Sequence, residues 1–176
     1  MKSIELVYTH RSAENSQYVY YANIICDNDR VLNGKPSYFW FGDMDNDVDG
    51  TPYWDKDPSG QPDTRWHYNG KAINGDIIPF IVVPPQIIKI TKEIVCCCIA
   101  TAEYNGIVVP GVVGDSGPSN KIGEGSPSML RGLGLPAPQN GNGGLDTQEI
   151  LYRIWPGVAA RLEINGQIYQ FELQHS

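Results

Sequence analysis

Short apolar runs separated by turn residues recur along the whole chain. Ile4, Leu6 and Tyr8 occupy alternate positions near the start, as expected for a strand with one buried face. Further runs rich in aromatic and β-branched residues cover residues 18–26, 38–41, 77–83, 93–104, 107–113, 151–155 and 160–173. Runs of this composition, bounded by Gly, Pro and Asn, are typical of strands. The pattern therefore predicts a mainly β protein.

Asn-Gly pairs mark the turns between these runs. The chain contains seven of them. Both central residues of a type I′ turn adopt positive φ, which Asn and Gly tolerate better than other residues. The pairs Asn105-Gly106 and Asn165-Gly166 each lie between two apolar runs, so each predicts a tight hairpin.

One short helix is predicted after the central runs. Ser126 can cap its N-terminus, Pro127 suits the first helical position, and Gly134 ends it. Its apolar face consists of Met129, Leu130 and Leu133. The segment 136–144, rich in Gly, Pro and Asn, follows and is predicted to be a surface loop.

The overall composition is that of a folded domain. The chain has 176 residues, of which 41 % are hydrophobic and 19 % charged. This length can bury a core without a disulfide or metal. Since we find no repeat and no linker, residues 1–176 are predicted to form a single domain. Short strands with one brief helix and long loops favour a small closed barrel.

The net charge of −7 limits the classes of partner. An acidic chain is a poor match for the phosphate backbone, so we expect no nucleic acid as partner. No apolar run approaches the roughly 18 residues of a membrane-spanning helix, so we expect no membrane either.

The four cysteines, Cys26 and the consecutive Cys96, Cys97 and Cys98, predict reduced thiols. The triplet lies in an apolar run, so its cysteines are predicted to be small buried core residues on a strand. Adjacent cysteines do not readily form a disulfide with each other. No spaced Cys/His quartet suggests zinc. The N-terminus lacks the apolar core of a signal peptide. These features fit a reducing compartment, although a chain trimmed of its leader would look the same, so the localisation stays open.

An acidic segment covers residues 43–63, where seven aspartates and one lysine give a local charge of −6. In an extended segment, alternate residues share one face. The four that alternate are Asp43, Asp45, Asp47 and Asp49. Aligned carboxylates repel each other unless a cation lies between them, so the pattern favours a cationic ligand; the alternative is a solvated loop.

Residues 45–50 also match the start of a calcium-binding loop, with oxygen ligands at alternate positions and Gly50 at the sixth. The twelfth position is Lys56, where a bidentate Glu is needed. We therefore predict no metal site, while a calcium loop remains an alternative.

Two motifs further along the chain suggest catalysis. The segment Gly114 to Pro118 resembles the nucleophile motif of serine proteases, with Ser116 as nucleophile. No histidine stands in the context that this chemistry needs. Asp115 and Glu124 lie nine residues apart across a turn-forming Ser-Gly-Pro-Ser-Asn stretch, which can bring both into one cleft. Two carboxylic groups are the minimum equipment for glycoside hydrolysis; the alternative is two unrelated loop acids.

The segment Gly114–Ser126, together with Leu133-Gly134-Leu135, resembles the signature of the fungal-type chitosanase family of glycoside hydrolases. Residues 39–50 are similar to the acidic segment of that family, and residues 79–84 resemble its central strand. The similarity runs from about Tyr38 to Gly157, with the motifs in the order of the family.

The resemblance implies an endo-acting hydrolase that cleaves β-1,4-linked glucosamine polymers (chitosan) with inversion. The catalytic pair of the family falls on Asp115 and Glu124, with Glu124 the more natural proton donor. A position just before a helix start favours a base instead, so the two roles stay open. The ammonium groups of the substrate are expected to bind the family's acidic segment, here Asp43, Asp45, Asp47 and Asp49. The fold that the resemblance implies is a six-stranded barrel of the double-psi kind.

Further expectations concern partners and rival functions. Tyr53 and Trp54, within the acidic segment, are candidates for stacking on sugar rings, and the alternative is burial in the core. We expect a monomer that uses no cofactor. A rival enzyme would hydrolyse partly de-acetylated peptidoglycan, and a rival from another class would be a non-catalytic carbohydrate- or calcium-binding module. One departure from the family is Val48, where a Cys is usual.

Overall fold

The computed structural model describes residues 3–11, 17–119 and 121–175. These residues form strands β1 (Ser3–Arg11), β2 (Gln17–Leu32), β3 (Lys35–Asn46), β4 (His67–Tyr68), β5 (Lys71–Ala72), β6 (Phe80–Val83), β7 (Cys98–Tyr104), β8 (Ile107–Ser116), β9 (Glu124–Gly125), β10 (Leu145–Ala159), β11 (Arg161–Ile164) and β12 (Gln167–Gln170). The helices are a 3-10 turn (Trp54–Lys56), α1 (Pro85–Ile88) and α2 (Pro127–Gly132). The mainly β prediction is confirmed.

Six strands pair in a closed ring, in the order β3, β10, β7, β8, β6, β9 and back to β3. The ring closes because the two-residue strand β9 pairs antiparallel with β6 on one side and parallel with β3 on the other. β1 and β2 form a hairpin that extends the sheet from β3, and two small hairpins, β4–β5 and β11–β12, lie outside the ring.

Side chains from most of these strands form one buried core. Trp40 on β3 and Tyr152 on β10 stack with their ring planes nearly parallel, 5.5 Å between centroids. Phe80 and Met129 are fully buried in the same cluster. Among the described residues, no helix is long and apolar enough to cross a membrane.

The cysteine triplet lies in this core, and the thiols of all four cysteines are free. Burial raises the pKa of Cys97 to about 12, so its thiol stays protonated and unreactive at neutral pH. The prediction of small buried core residues is confirmed for the triplet. The strand itself begins only at Cys98, because Cys97 has a φ of 66°, which is incompatible with an extended backbone.

The predicted hairpins and helix are present. Asn105-Gly106 joins β7 to β8 and Asn165-Gly166 joins β11 to β12, with positive φ at all four residues. α2 begins after Ser126, whose side chain accepts a hydrogen bond from the backbone N–H of Met129. β2 and β10 extend beyond the predicted runs 18–26 and 151–155. Both strands continue through polar residues, which an apolar pattern does not mark.

Candidate active site

Asp115 and Glu124 lie on either side of one strand. Val82 on β6 pairs with Asp115 on β8 and with Glu124 on β9. Residues directly opposite each other on neighbouring strands project to the same face of a sheet. Neighbouring strands are about 4.8 Å apart, so the backbones of the two acidic residues are about 10 Å apart. The bend between them therefore returns the chain to the same face of the same sheet.

Asp115 is 7 % exposed, and two backbone hydrogen bonds fix its side chain. Its Oδ1 accepts hydrogen bonds of 2.9 Å from the backbone N–H groups of Arg65 and Ser116. Burial raises the pKa of Asp115 to about 6. The two backbone donors lower this pKa and so oppose the effect of burial only in part, while the negative charges of Asp49 and Glu124 raise it further. The side chain can therefore carry a proton in mildly acidic solution.

Two further carboxylates lie against Asp115. One oxygen each of Asp47, Asp49 and Asp115 fall within 4.8 Å of one another. Asp47 Oδ1 accepts from the backbone N–H of Asp49, and Asp49 Oδ1 accepts from that of Gln61. Burial, together with the charge of Glu124, raises the pKa of both Asp47 and Asp49. We call these three residues the carboxylate cluster; it binds protons more strongly than ordinary aspartates do.

The cluster differs from the calcium loop that residues 45–50 suggest. Its third member is Asp115 from β8, and Asp45 is not part of it. Calcium takes six to eight oxygen ligands, and this cluster brings together only three carboxyl groups among the described residues. We therefore assign no metal to these residues.

Glu124 forms an ion pair with a lysine of the preceding loop. Lys121 Nζ lies 3.1 Å from Glu124 Oε1 and 3.7 Å from Asp45 Oδ2. Asp45 is the register partner of Glu124 across the β3–β9 ladder. Although burial opposes it, the charges of Glu124 and Asp45 raise the pKa of Lys121, which therefore stays protonated.

An open groove of about 650 Å³ runs past Glu124. Its described lining includes one lysine, Lys121, and six acidic residues: Asp45, Asp47, Asp49, Asp57, Glu124 and Asp146. Asp115 is not part of this lining, but it lies beside Asp47 and Asp49, which are. The acidic groove therefore has one of the two predicted residues, Glu124, in its lining and the other, Asp115, next to it.

The segment 136–144, predicted as a surface loop, forms one wall of the groove. The buried side chain of Asn46 donates two hydrogen bonds of 2.9 Å from Nδ2, to the carbonyl oxygens of Pro138 and Asn142. Gly141, with φ of 84°, packs so closely on Asp57 that a Cβ there would lie 2.8 Å from the carboxyl carbon. The loop is therefore attached to β3 through Asn46 and lies close against Asp57.

Three residues expected at the substrate lie elsewhere. Asp43 is fully buried and does not line the groove; burial raises its pKa to about 9, so it is neutral at pH 7. Tyr53 is buried, and its hydroxyl donates a 2.7 Å hydrogen bond to Asp76. Trp54 opens the 3-10 turn and, like Tyr53, is outside the groove lining.

The structure also shows groove residues that sequence reasoning missed. Asp57 belongs to the acidic segment, so its composition signalled it, and Asn46 lies between two of the alternating aspartates. Asp146 lies more than eighty residues beyond the acidic segment and reaches the groove only because β10 pairs with β3.

Ser126 is a structural residue of this region. Its fully buried Oγ accepts hydrogen bonds from the backbone N–H groups of Phe80 (2.9 Å) and Met129 (3.4 Å) and lies 3.3 Å from the carbonyl oxygen of Ile78. The prediction that Ser126 caps the helix is therefore confirmed.

Ser126→Ala is expected to lower the free energy of unfolding by about 1–3 kcal/mol, because the buried N–H of Phe80 loses its acceptor. For a chain of this size, that corresponds to a fall in Tm of about 2–4 °C per kcal/mol, measurable by calorimetry. Ser128→Ala is the matched control, since its hydroxyl only approaches that of Ser126. Equal melting temperatures for the two variants would contradict the structural role.

Comparison with known proteins identifies the family. The profile of the family described as fungal chitosanase of glycosyl hydrolase group 75 matches residues 44–171, which include Asp115 and Glu124. The chain belongs to this chitosanase family. The resemblance noted in the sequence is thereby confirmed, and Asp43 lies just outside the matched residues.

Two curated proteins named Endo-chitosanase C resemble this chain to nearly the same degree. An Endo-chitosanase C of Aspergillus oryzae (strain ATCC 42149 / RIB 40) is 31 % identical over 134 residues, covering 72 % of this chain and 33 % of its own. A second Endo-chitosanase C of Aspergillus oryzae is 32 % identical over 130 residues, with the same coverage. The chain therefore spans about a third of the length of the curated relatives that it matches.

Proposed function

We propose that this member of the chitosanase family is an endo-acting glycoside hydrolase that cleaves β-1,4-linked glucosamine polymers with inversion. The observation that carries the proposal is the placement of Asp115 and Glu124 on one face of the sheet, flanking Val82, beside an acidic groove. We also propose that the six-stranded ring is the small closed barrel of the double-psi kind; its closure through β9 supports this.

The charge of the groove supports chitosan as the substrate. Chitosan carries one ammonium group per deacetylated sugar in acidic solution, and a groove lined by carboxylates attracts such a polymer over a distance. Acetylation removes that charge, so the groove favours glucosamine over N-acetylglucosamine. Asp57 and Asp146 also line the groove and add to its negative charge.

The spacing of the two strands that carry Asp115 and Glu124 leaves room for an inverting pair. Inverting glycosidases keep their carboxyl groups about 6.5–9.5 Å apart, which leaves room for a water molecule between one carboxylate and the anomeric carbon. Backbones two strands apart, at about 10 Å, with side chains on one face are compatible with that separation. A retaining enzyme needs a closer pair, about 5–5.5 Å apart.

We assign the general acid to the carboxylate cluster and the base to Glu124. Asp115 has a pKa of about 6 and so holds a proton in mildly acidic solution, which the cluster can deliver to the leaving glycosidic oxygen. Glu124 is paired with Lys121 and lines the groove, where it can take a proton from the attacking water. This reverses the roles that the family resemblance implies.

Parallel incubation with polymeric chitosan, chitin and peptidoglycan tests the proposal. We expect rapid loss of chitosan viscosity, new reducing ends, and the α-anomer as the first product by NMR. Peptidoglycan cleavage alone would favour the rival hydrolase, and binding without reducing ends would favour a carbohydrate-binding module. First appearance of the β-anomer would overturn inversion.

Asp57→Asn is expected to weaken binding of cationic chitosan oligomers by about two- to fivefold at low ionic strength, with the difference shrinking as salt is added. The reason is the loss of one groove charge, while the amide oxygen can still accept from the N–H of Ser59. Calorimetric titration at two salt concentrations measures the effect. Asp55→Asn, an exposed neighbour outside the lining, is the control, and equal losses for both variants would contradict a role of the groove wall.

A further inference from the structure

Lys121 carries a positive charge inside a groove that otherwise suits a cationic polymer. It is the one basic side chain among the described residues of the lining. A lysine at this place opposes the attraction of ammonium groups, so a role in substrate binding does not explain it. Its contacts point instead to Glu124 and Asp45.

The β3–β9 ladder creates the need for this lysine. It places Glu124 directly opposite Asp45, and like charges in such a pair repel each other. The ammonium group lies 3.1 Å from Glu124 and 3.7 Å from Asp45, between the two carboxylates. Lys121 therefore neutralises a repulsion that the strand register imposes.

The backbone holds Lys121 where it can do this. Its N–H donates to the carbonyl oxygen of Pro118 at 3.2 Å, closing the turn after β8. Two residues later the carbonyl oxygen of Gly123 accepts from the N–H of Asp45 at 2.7 Å, which attaches the loop to β3. The lysine stem is thus fixed at both ends of the loop.

The charges that face Glu124 come from several elements. Lys121 is the cation, and the carboxyl groups are Asp45 of β3, Asp47 and Asp49 of the segment after it, and Asp115 of β8. Without the lysine, Glu124 would face acidic groups alone. It would then lose the contact that fixes its rotamer.

We propose that Lys121 is a positioning residue, whose ammonium group holds the Glu124 carboxylate in the orientation that faces the groove. This inference rests on the proposed function, in which Glu124 accepts a proton from the attacking water. Lys121 does not touch the reacting atoms. It acts through Glu124.

The test compares the kcat and KM of Lys121→Met, Lys121→Arg and the control Lys56→Met. Lys121→Met is expected to lower kcat about tenfold with KM changed less than threefold, because Glu124 loses the contact that aims it into the groove. Lys121→Arg should recover activity to within about threefold. Lys56 is exposed and donates a hydrogen bond to Gln139. Lys56→Met therefore removes the same charge without touching Glu124, and it should change neither kcat nor KM.

A second readout separates this inference from the proposed function. NMR of ¹³C-labelled Glu carboxyl groups at fixed pH, assigned with Glu124→Gln, follows Glu124 whether or not chitosan is cleaved. We expect the Glu124 signal to shift in Lys121→Met and to stay in place in Lys56→Met. An unchanged Glu124 signal, or a lower KM with unchanged kcat, would overturn the positioning role. Absence of hydrolysis by the wild type would overturn the proposed function alone.

Discussion

Glu124→Gln and Asp115→Asn are each expected to lower kcat for chitosan hydrolysis by about 10²- to 10⁴-fold, the usual contribution of a general acid or base. Each amide keeps the size of the side chain but loses its capacity to exchange a proton with the substrate or water. Release of reducing ends measures the effect. Glu93→Gln, an exposed carboxyl paired with Lys35, is the control and should retain full activity. Near-normal turnover in either of the first two variants would remove that residue from the catalytic pair.

The Asp115 variant also has a signature in stability. Because the pKa of Asp115 is raised to about 6 in the folded chain from its ordinary value of 3.8, ionisation of this group destabilises the fold as the pH rises between these values. Asp115→Asn removes that cost and keeps the oxygen that accepts from Arg65 and Ser116. We therefore expect the variant to melt at a higher temperature than the wild type at pH 7, and to lose this advantage below pH 4. A lower Tm at pH 7 would contradict the electrostatic account.

Gly123→Ala is expected to cost about 3 kcal/mol or more of unfolding free energy, a fall in Tm of about 6–12 °C. Gly123 has φ of 99°, and a Cβ there would lie 2.7 Å from the carbonyl oxygen of Asp43 and closer still to its Oδ1. Because both oxygens belong to buried β3, the loop must move away. Glu124 moves with it, so activity should fall together with stability.

The hairpin residue Gly106 provides the matched control for this prediction. Its φ of 77° imposes a similar backbone strain, yet nothing lies within 4 Å of the Cβ position. Gly106→Ala should therefore cost only about 1 kcal/mol, with activity unchanged. If the two variants melt at the same temperature, the contact with Asp43 contributes nothing.

Local chemistry in the sequence was sufficient to predict several elements. The Asn105-Gly106 and Asn165-Gly166 hairpins and the Ser126 cap depend on the conformational preferences of a few adjacent residues, which the sequence shows directly. The family resemblance depended likewise on a contiguous motif. The roles of Asp115 and Glu124 remain predictions until the variants are measured.

Other features depend on contacts between distant segments. Alternation placed Asp43 beside Asp45, but Asp43 is buried because Gly123, eighty residues away, packs on it. β9 has only two residues, too few to produce a pattern, yet it closes the ring. The strand predicted from residue 93 starts late because Cys97 adopts a positive φ, which no neighbouring residue signals.

Because β9 has only two residues, we expect heat inactivation to begin where β9 pairs with β3. The amides of Asp45 and Asp47 donate to the carbonyl oxygens of Gly123 and Gly125, and these bonds join β9 to β3. If these bonds break, the ring opens between β3 and β9 and Glu124 is displaced together with β9, while the long β3–β10 ladder stays intact. Loss of turnover on warming should therefore precede loss of bulk β structure, and deuterium uptake at those two amides would report it.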